Sequence, residues 1–328
     1  MAVQAHVAPE DRWMKLSPNL ADLARNLGDH ADYSVRLLLA LFVPDRVFTT
    51  AQFVSHYRRL PTRDDLGFSD YVHFFKSSPA AEACGPLVDK LLAKQRVSEL
   101  IGDEHIVKTC WSGSQLTWDA WKQLPDTFML KASHGCGWNY LVVEKSTEQF
   151  RRVSSLTARW MQKNFYHYFR ERAYRNITPR LFAEQYVGLS GQPATDYKFY
   201  CIGGSIAFIM VIVDRQGDQK DVLYDRHWNK MDVRSLNPND ADFERPGRLE
   251  RMVEIAEVLA RGFDFARIDL YLYEDQVYFG EWTFTPAAGF FRFDPPSFDR
   301  ALGDLLKATM SRWTVTQTGC ASRSGTSA

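Results

Sequence analysis

The 328-residue sequence is short of several things, and each shortage closes off a class of protein. It has no charge excess: 40 Lys and Arg stand against 40 Asp and Glu. No bulk attraction to nucleic acid or an anionic membrane follows, and only local basic clusters stay open. Its five cysteines, Cys84, Cys110, Cys136, Cys201 and Cys320, are scattered and odd in number. None forms Cys-x-x-Cys, so neither a disulfide framework nor a zinc knuckle is indicated. Long apolar runs are missing too. Leu37 to Val43 and Ile206 to Val213 fall well short of the ~18–20 residues of a membrane-spanning helix. Met1 to Trp13 mixes acidic and basic residues without an apolar core, unlike a signal peptide. The expectation is a soluble, cytoplasmic protein with free thiols. There is no internal repeat.

What is present is core-forming: 45% hydrophobic and 14% aromatic residues, in a chain long enough for two or three packed units. The N-terminal part reads as helical. Leu20, Leu23 and Leu27 recur at helical spacing, and Val35 to Val43 is a dense apolar segment stopped by Pro44. Helical patterns continue over Gln52–Arg59 and Ser69–Phe75, then over Asp89–Gly102. In the last of these Leu91, Leu92, Val97, Leu100 and Ile101 are assigned to one buried side, with Gly102 as C-cap. A short strand is expected at Ile106–Cys110 and a short helix at Trp118–Leu124.

Phe128–Ala132 reads as a strand that carries Lys131 near its end. It runs into the glycine-punctuated loop His134-Gly135-Cys136-Gly137-Trp138-Asn139, and a second strand, Tyr140–Val143, leaves it. Such a hairpin is either an ordinary glycine turn or a lid whose backbone N–H groups close over phosphates. Arg151–Arg175 contains no proline or glycine and is expected to be one long helix. Its aromatics and arginines suit a half-buried face with snorkelling arginines, or a wall for a sugar polymer. Strands follow at Leu181–Val187, Asp196–Ile202 and Ser205–Asp214, the last two joined by Gly203-Gly204. Helices are expected at Pro246–Gly262 and Phe298–Trp313, and a hairpin Phe265–Tyr273 with Gln276–Thr283 around Glu274-Asp275.

That hairpin carries the strongest chemistry. Period-two alternation puts Arg267 and Asp269 on one face, and a two-residue turn sets Asp269 nearly opposite Glu281. Paired carboxylates among apolar neighbours are costly unless something positive lies between them. Hard oxygen ligands of this kind suit Mg²⁺ with nucleotide phosphates. Lys131 and Lys198 supply the other sign. Arg215 and Arg267 offer forked guanidinium groups suited to carboxylate or phosphate.

In this order, Phe-Met-Leu-Lys131-Ala-Ser-His-Gly-Cys-Gly, Ala-Glu184-Gln-Tyr186-Val187, Asp196-Tyr-Lys198, Arg267-x-Asp269 and Gly280-Glu281-x-Thr-Phe-Thr285-Pro286 resemble the ATP-grasp superfamily. Within it the chain is similar to the TupA-like group associated with teichuronopeptide and other surface-polysaccharide biosynthesis, also through Asp89-Lys90…Arg96 and Asp214-Arg215. The resemblance spans roughly Leu60 to Gly303. It implies an α+β fold, with a helical region over 1–105, a central unit with the glycine lid over 106–187, and a C-terminal unit with the metal site over 188–313. Two antiparallel β-layers would clasp ATP between the last two, and a disordered tail would cover 314–328.

The resemblance also implies roles. Lys131 and the loop residues His134, Gly135, Gly137 and Trp138 would hold the α/β-phosphates. Glu184, Gln185, Tyr186 and Val187 would form the adenine hinge, and Lys198 would approach the nucleotide from the second layer. Asp269 and Glu281 would bind Mg²⁺, with Thr283 where the wider superfamily has an amide ligand. Thr285 replaces the arginine that usually closes the motif, so a substrate arginine must come from Arg267, Arg215 or Arg292. The activity implied is ATP-dependent amide formation through an acyl phosphate, on a carboxylate such as a uronic acid of a glycan and an amine co-substrate. Three readings stand beside it: a sugar kinase, a glycan-modifying transferase (for which no Asp-x-Asp appears in a suitable context) and a nucleotide- or glycan-binding protein without turnover.

Overall fold

The computed structural model describes residues 32–189, 192–213 and 220–310. The expectations for Leu20, Leu23 and Leu27, Asp214, Arg215 and the tail 314–328 lie outside the described residues. From residue 32 the chain is helical over 32–42 (α1), as the apolar pattern expected, and bends at Pro44 into α2 (Asp45–Tyr57). Helices α3 (Phe68–Lys76), α4 (Pro79–Ala83), α5 (Gly85–Val88) and α6 (Lys90–Ile101) follow. Asp89 caps α6: its Oδ1 accepts from the N–H groups of Leu91 and Leu92 at 2.9 and 3.3 Å. Gly102 ends the helix at φ 100°. The buried side of α6 is narrower than expected. Ala93 and Val97 carry it, whereas Leu92 and Leu100 are exposed.

Two antiparallel sheets follow. The first contains β1 (Thr109–Gly113), β2 (Phe128–Ala132), β3 (Asn139–Val142) and β4 (Leu181–Gln185), in the order β1-β4-β2-β3. Helices α7 (Trp118–Gln123) and α8 (Thr147–Met161) cover one face, burying Trp121, Val153 and Trp160 with Phe128, Leu130 and Val142. A two-stranded ribbon, β5 (Gly188–Leu189) with β6 (Gln192–Pro193), leads to the second sheet. That sheet contains β7 (Thr195–Ile202), β8 (Ser205–Val213), β9 (Lys220–Tyr224), β10 (Phe265–Tyr273) and β11 (Gln276–Thr283), in the order β11-β10-β7-β8-β9. It is packed on both faces, which explains its nearly continuous apolar strands. Phe199, Cys201, Val211, Ile268 and Leu270 join α10 (Leu249–Leu259) on one side. Tyr200, Phe208, Met210 and Phe265 join α3 and α11 (Ser297–Met310) on the other. The α+β class follows directly.

Both hairpin turns form as expected. Gly203 and Gly204 take φ 60° and 82°, and Glu274 and Asp275 take 48° and 65°. Positive φ at both central residues matches the right-handed twist of the flanking strands. Two further expectations need correction. The strand expected at Ile106–Cys110 begins only at Thr109, and Ile106 instead makes a lone parallel bridge to Phe279 of the other sheet.

The helix expected over Arg151–Arg175 breaks after Met161, with only a turn, α9 (Tyr166–Phe169), and a 3₁₀ turn at Arg172–Tyr174 beyond. Asn164 is the cause. Its N–H donates to Tyr33 Oη at 2.7 Å, its Oδ1 accepts from Tyr166 N–H at 3.0 Å, and its Nδ2 donates to the Arg175 carbonyl at 2.8 Å. An Asn that caps the next turn competes with helix continuation.

Candidate nucleotide and metal site

Lys131 lies in β2 directly across from Asn139 of β3, and the glycine loop closes the hairpin between them. Gly135 packs under the Trp138 ring, where any side chain would collide with the indole. Gly137 takes φ 69°, a left-handed turn that glycine adopts without strain. His134 points away from the loop's open side. Its ring is buried, bonds the Trp160 carbonyl through Nε2 at 3.1 Å and packs edge-on against Trp138. Burial pushes its pKa down, which keeps the ring neutral.

Helix α6 ties this loop to the rest of the site. Lys90 N–H donates to the Ser133 carbonyl at 3.2 Å, and Lys90 Nζ donates to the Gly135 carbonyl at 2.6 Å. The same Nζ stands 3.8 Å from Glu281 Oε2 on the second sheet. One turn on, Lys94 Nζ contacts Glu184 Oε2 at 2.6 Å, and Lys131 Nζ pairs with Glu184 Oε1 from the other side. Burial raises the Glu184 carboxyl, but the two lysines outweigh it and hold the group below its usual value. In the expected hinge, the Gln185 N–H is taken by the Lys108 carbonyl, and the Val187 carbonyl accepts from Ala194. Tyr186 is half-buried, and burial raises its pKa.

On the second sheet the register pairs Asp269 with Glu281 on one side and with Lys198 on the other. Arg267 bonds Asp269 through Nε at 2.7 Å and Nη2 at 2.8 Å, and Nη2 also reaches Glu281 Oε1 at 3.1 Å. Lys198 Nζ lies 2.7 Å from Asp269 Oδ2 and 3.0 Å from Asp196 Oδ2. Burial pushes the Asp269 carboxyl up, against Arg267 and Lys198. Burial also raises Glu281, but Lys90, Arg267 and Lys198 outweigh it and bring it below the usual range. Thr283 faces Arg267 across the ladder and donates weakly to Glu281 Oε1 at 3.4 Å.

The donor set fits Mg²⁺ in one mode. Among the described residues no three His, Cys, Asp or Glu converge as a metal cage. Two hard carboxylates on one face suit an ion that completes its shell from phosphate and water.

The strand continues into a loop turned back on itself. Ala287, Ala288 and Gly289 take φ 48°, 51° and 83°. Lys76 Nζ donates to the Ala288 carbonyl at 3.0 Å, and Tyr57 Oη donates to the Gly289 carbonyl at 2.8 Å. Thr285 Oγ1 donates to Glu171, and Arg292 Nη2 donates to the His56 carbonyl. Arg292 is thereby engaged away from the carboxylates.

Lys90, Lys94 and Asp196 carry no assigned role in the sequence reading. Signals for them exist. Lys90 and Lys94 are four apart on one helix face, and Asp196 and Lys198 are two apart on one strand face.

A family model described as TupA-like ATPgrasp matches residues 79–307. Among solved structures, D-alanine–D-alanine ligase from Bacillus anthracis is similar at 13% identity, over 70% of this chain and 69% of that one, with a TM-score of 0.42. The ATP-grasp ligase PsnB complexed with minimal precursor is similar at 12% identity, over 72% and 64%, with a TM-score of 0.40. A RimK domain ATP-grasp protein from Sphaerobacter thermophilus is similar at 15% identity, over 69% of each chain, with a TM-score of 0.37. No curated protein matches the chain. No helix among the described residues is long and apolar enough to cross a membrane.

Proposed function

The chain belongs to the TupA-like ATP-grasp family, and on that premise we propose that it is an ADP-forming carboxylate–amine ligase. The observation that carries this reading is the facing of two charge clusters across α6. Lys131 of the first sheet and Lys94 of α6 meet at Glu184 on one side, and Asp269 and Glu281 with Arg267 and Lys198 stand on the second sheet. ATP lies between them, with Lys131, Lys90 and the loop N–H groups toward its phosphates and the 184–187 hinge at its adenine. His134 serves by propping Trp138.

Asp269 and Glu281, with Thr283 beside them, would hold Mg²⁺, which supplies charge neutralisation at the phosphates when bound. A substrate carboxylate attacks the γ-phosphorus in line, giving an acyl phosphate and ADP, and an amine then displaces phosphate. Arg267 and Lys198, which pair with Asp269 here, would neutralise charge on the transferring group. Catalysis is therefore positioning and electrostatics, with no covalent intermediate on the protein. Arg215 is proposed on the acceptor side.

The carboxylate is proposed to be a uronic acid of a surface glycan or its precursor, and the amine an amino acid or amino sugar. The chain is proposed to divide into three units, 1–105, 106–187 and 188–313. An ADP-release screen of uronic acids against amines, with Mg²⁺ present, tests the reading. Trapping with hydroxylamine gives a hydroxamate from an acyl phosphate; a stable phosphate ester instead would make the protein a sugar kinase.

A further inference from the structure

The seam between α2 and residues 169–171 holds polar atoms that the fold leaves without partners. Arg170 sits at left-handed φ 57° and is 1% exposed. Its Nη1 faces Asp45 Oδ1 at 3.9 Å, and its guanidinium carbon lies 4.7 Å from the Phe48 ring centroid. Nε and Nη2 are both buried and have no hydrogen-bond partner. Those two N–H groups share one edge of the guanidinium, the edge that binds two oxygens of a carboxylate or phosphate side by side. A two-oxygen group gives each of these N–H groups its own acceptor, where one water oxygen would be shared between them.

Phe48 belongs to a line of residues. Phe48, Gln52 and His56 are spaced four apart on one face of α2, and the line is roughly 12 Å long. Gln52 Oε1 and His56 Nε2 are also buried and unpartnered. The His56 ring packs edge-on against Phe290 at 5.2 Å, and Phe169, next to Arg170, meets the same Phe290 at 5.8 Å. Arg170 against Phe48 and His56 against Phe290 therefore bracket the α2 face on which Gln52 lies. Gln52 and His56 are half-exposed, so that end opens to the surface.

We propose that this seam binds an anionic, hydroxyl-bearing ligand. Its carboxylate or phosphate lies on the Nε–Nη2 edge of Arg170, and its hydroxyls meet Gln52 and His56. Glu171, the next residue, accepts from Thr285, which follows Glu281 by four residues. The seam thus adjoins the far end of the metal strand, roughly 13 Å of extended chain from Glu281. Its use as a substrate subsite rests on the ligase reading; its binding chemistry does not.

The test is thermal unfolding of the full-length protein without nucleotide, in the presence of glucuronate, inorganic phosphate or glucose. We expect an anion to raise Tm and glucose not to, and the better anion identifies the group. Arg170→Lys keeps a charge beside Asp45 but loses the two-donor edge, and should weaken the anion about tenfold. Gln52→Leu, at a half-exposed position, should weaken glucuronate about threefold and leave phosphate unchanged. It carries the test if Arg170→Lys does not fold.

No anion response in the wild type, as expected if the seam holds only buried water, overturns the proposal. An equal response to glucose, or an undiminished response in Arg170→Lys, overturns it too. ATP binding, measured apart by calorimetry, should be equal in wild type and Arg170→Lys. A wild type that binds the anion but no ATP sinks the ligase reading and leaves the seam standing.

Discussion

On the first sheet Glu184 stands between Lys94 and Lys131, one anion to two cations. On the second, Asp196, Asp269 and Glu281 meet Lys198, Arg267 and, from α6, Lys90, three anions to three cations. The first cluster has positive charge to spare, and the second is balanced. A surplus is what attracts a polyphosphate. A balance keeps two carboxylates parallel and in register without letting either repel the other. On the proposed reading the two sheets would divide the labour: one would draw the nucleotide, and the other would keep ligands in position for a cation.

Substitutions in the balanced cluster should have the largest effects. Glu281→Gln and Asp269→Asn should each lower ATP turnover by on the order of 10²-fold or more. The two should differ in stability. Asp269→Asn strands Arg267 and Lys198 in the interior and should cost about 3 kcal/mol in a urea melt. Glu281, whose side chain is 28% exposed, should cost far less. Wild-type turnover in both variants would abolish the distinction between the sheets.

On the surplus side, Lys131→Met should weaken nucleotide binding by about tenfold, read by calorimetry, with a smaller effect on stability.

The smallest effect concerns acid. The folded Glu184 carboxyl lies below its unfolded value, so its ion pairs stabilise the protein above that unfolded value. The stabilisation is lost as pH falls through the folded one. Wild type should therefore lose Tm more steeply than Glu184→Gln as pH drops below about 4.3. Parallel curves would show that the two lysines do not hold the group as described.

Much of this was legible because it is local. Glu274-Asp275 is a two-residue turn between alternating strands; alone it would pair Asp269 with Gly280, and a bulge between Asp269 and Leu270 moves the partner one residue on, to Glu281. Gly203-Gly204 likewise set the turn between β7 and β8, and the helical pattern from Asp89 with its stop at Gly102 bounded α6. What escaped depends on distant chain. Asn164 breaks a helix whose composition forbids nothing, because Tyr33, 131 residues earlier, meets its N–H. The engagement of His134 with Trp160, rather than with the loop's open side, is likewise a matter of packing. Arg170 offers no periodicity or motif at all; its free edge appears only once α2 is laid over it.

The cross-strand pairing of Asp269 with Lys198, and the fork of Arg267 upon it, has one more consequence. In a zinc finger the ion is a condition of folding. Here every carboxylate that would take a cation already has a resident positive partner, so the chain completes its architecture by itself. Chelation with EDTA should leave the melting temperature where it was. Magnesium and nucleotide supply would then govern what the protein does from minute to minute, adding stability when bound without being a condition of folding.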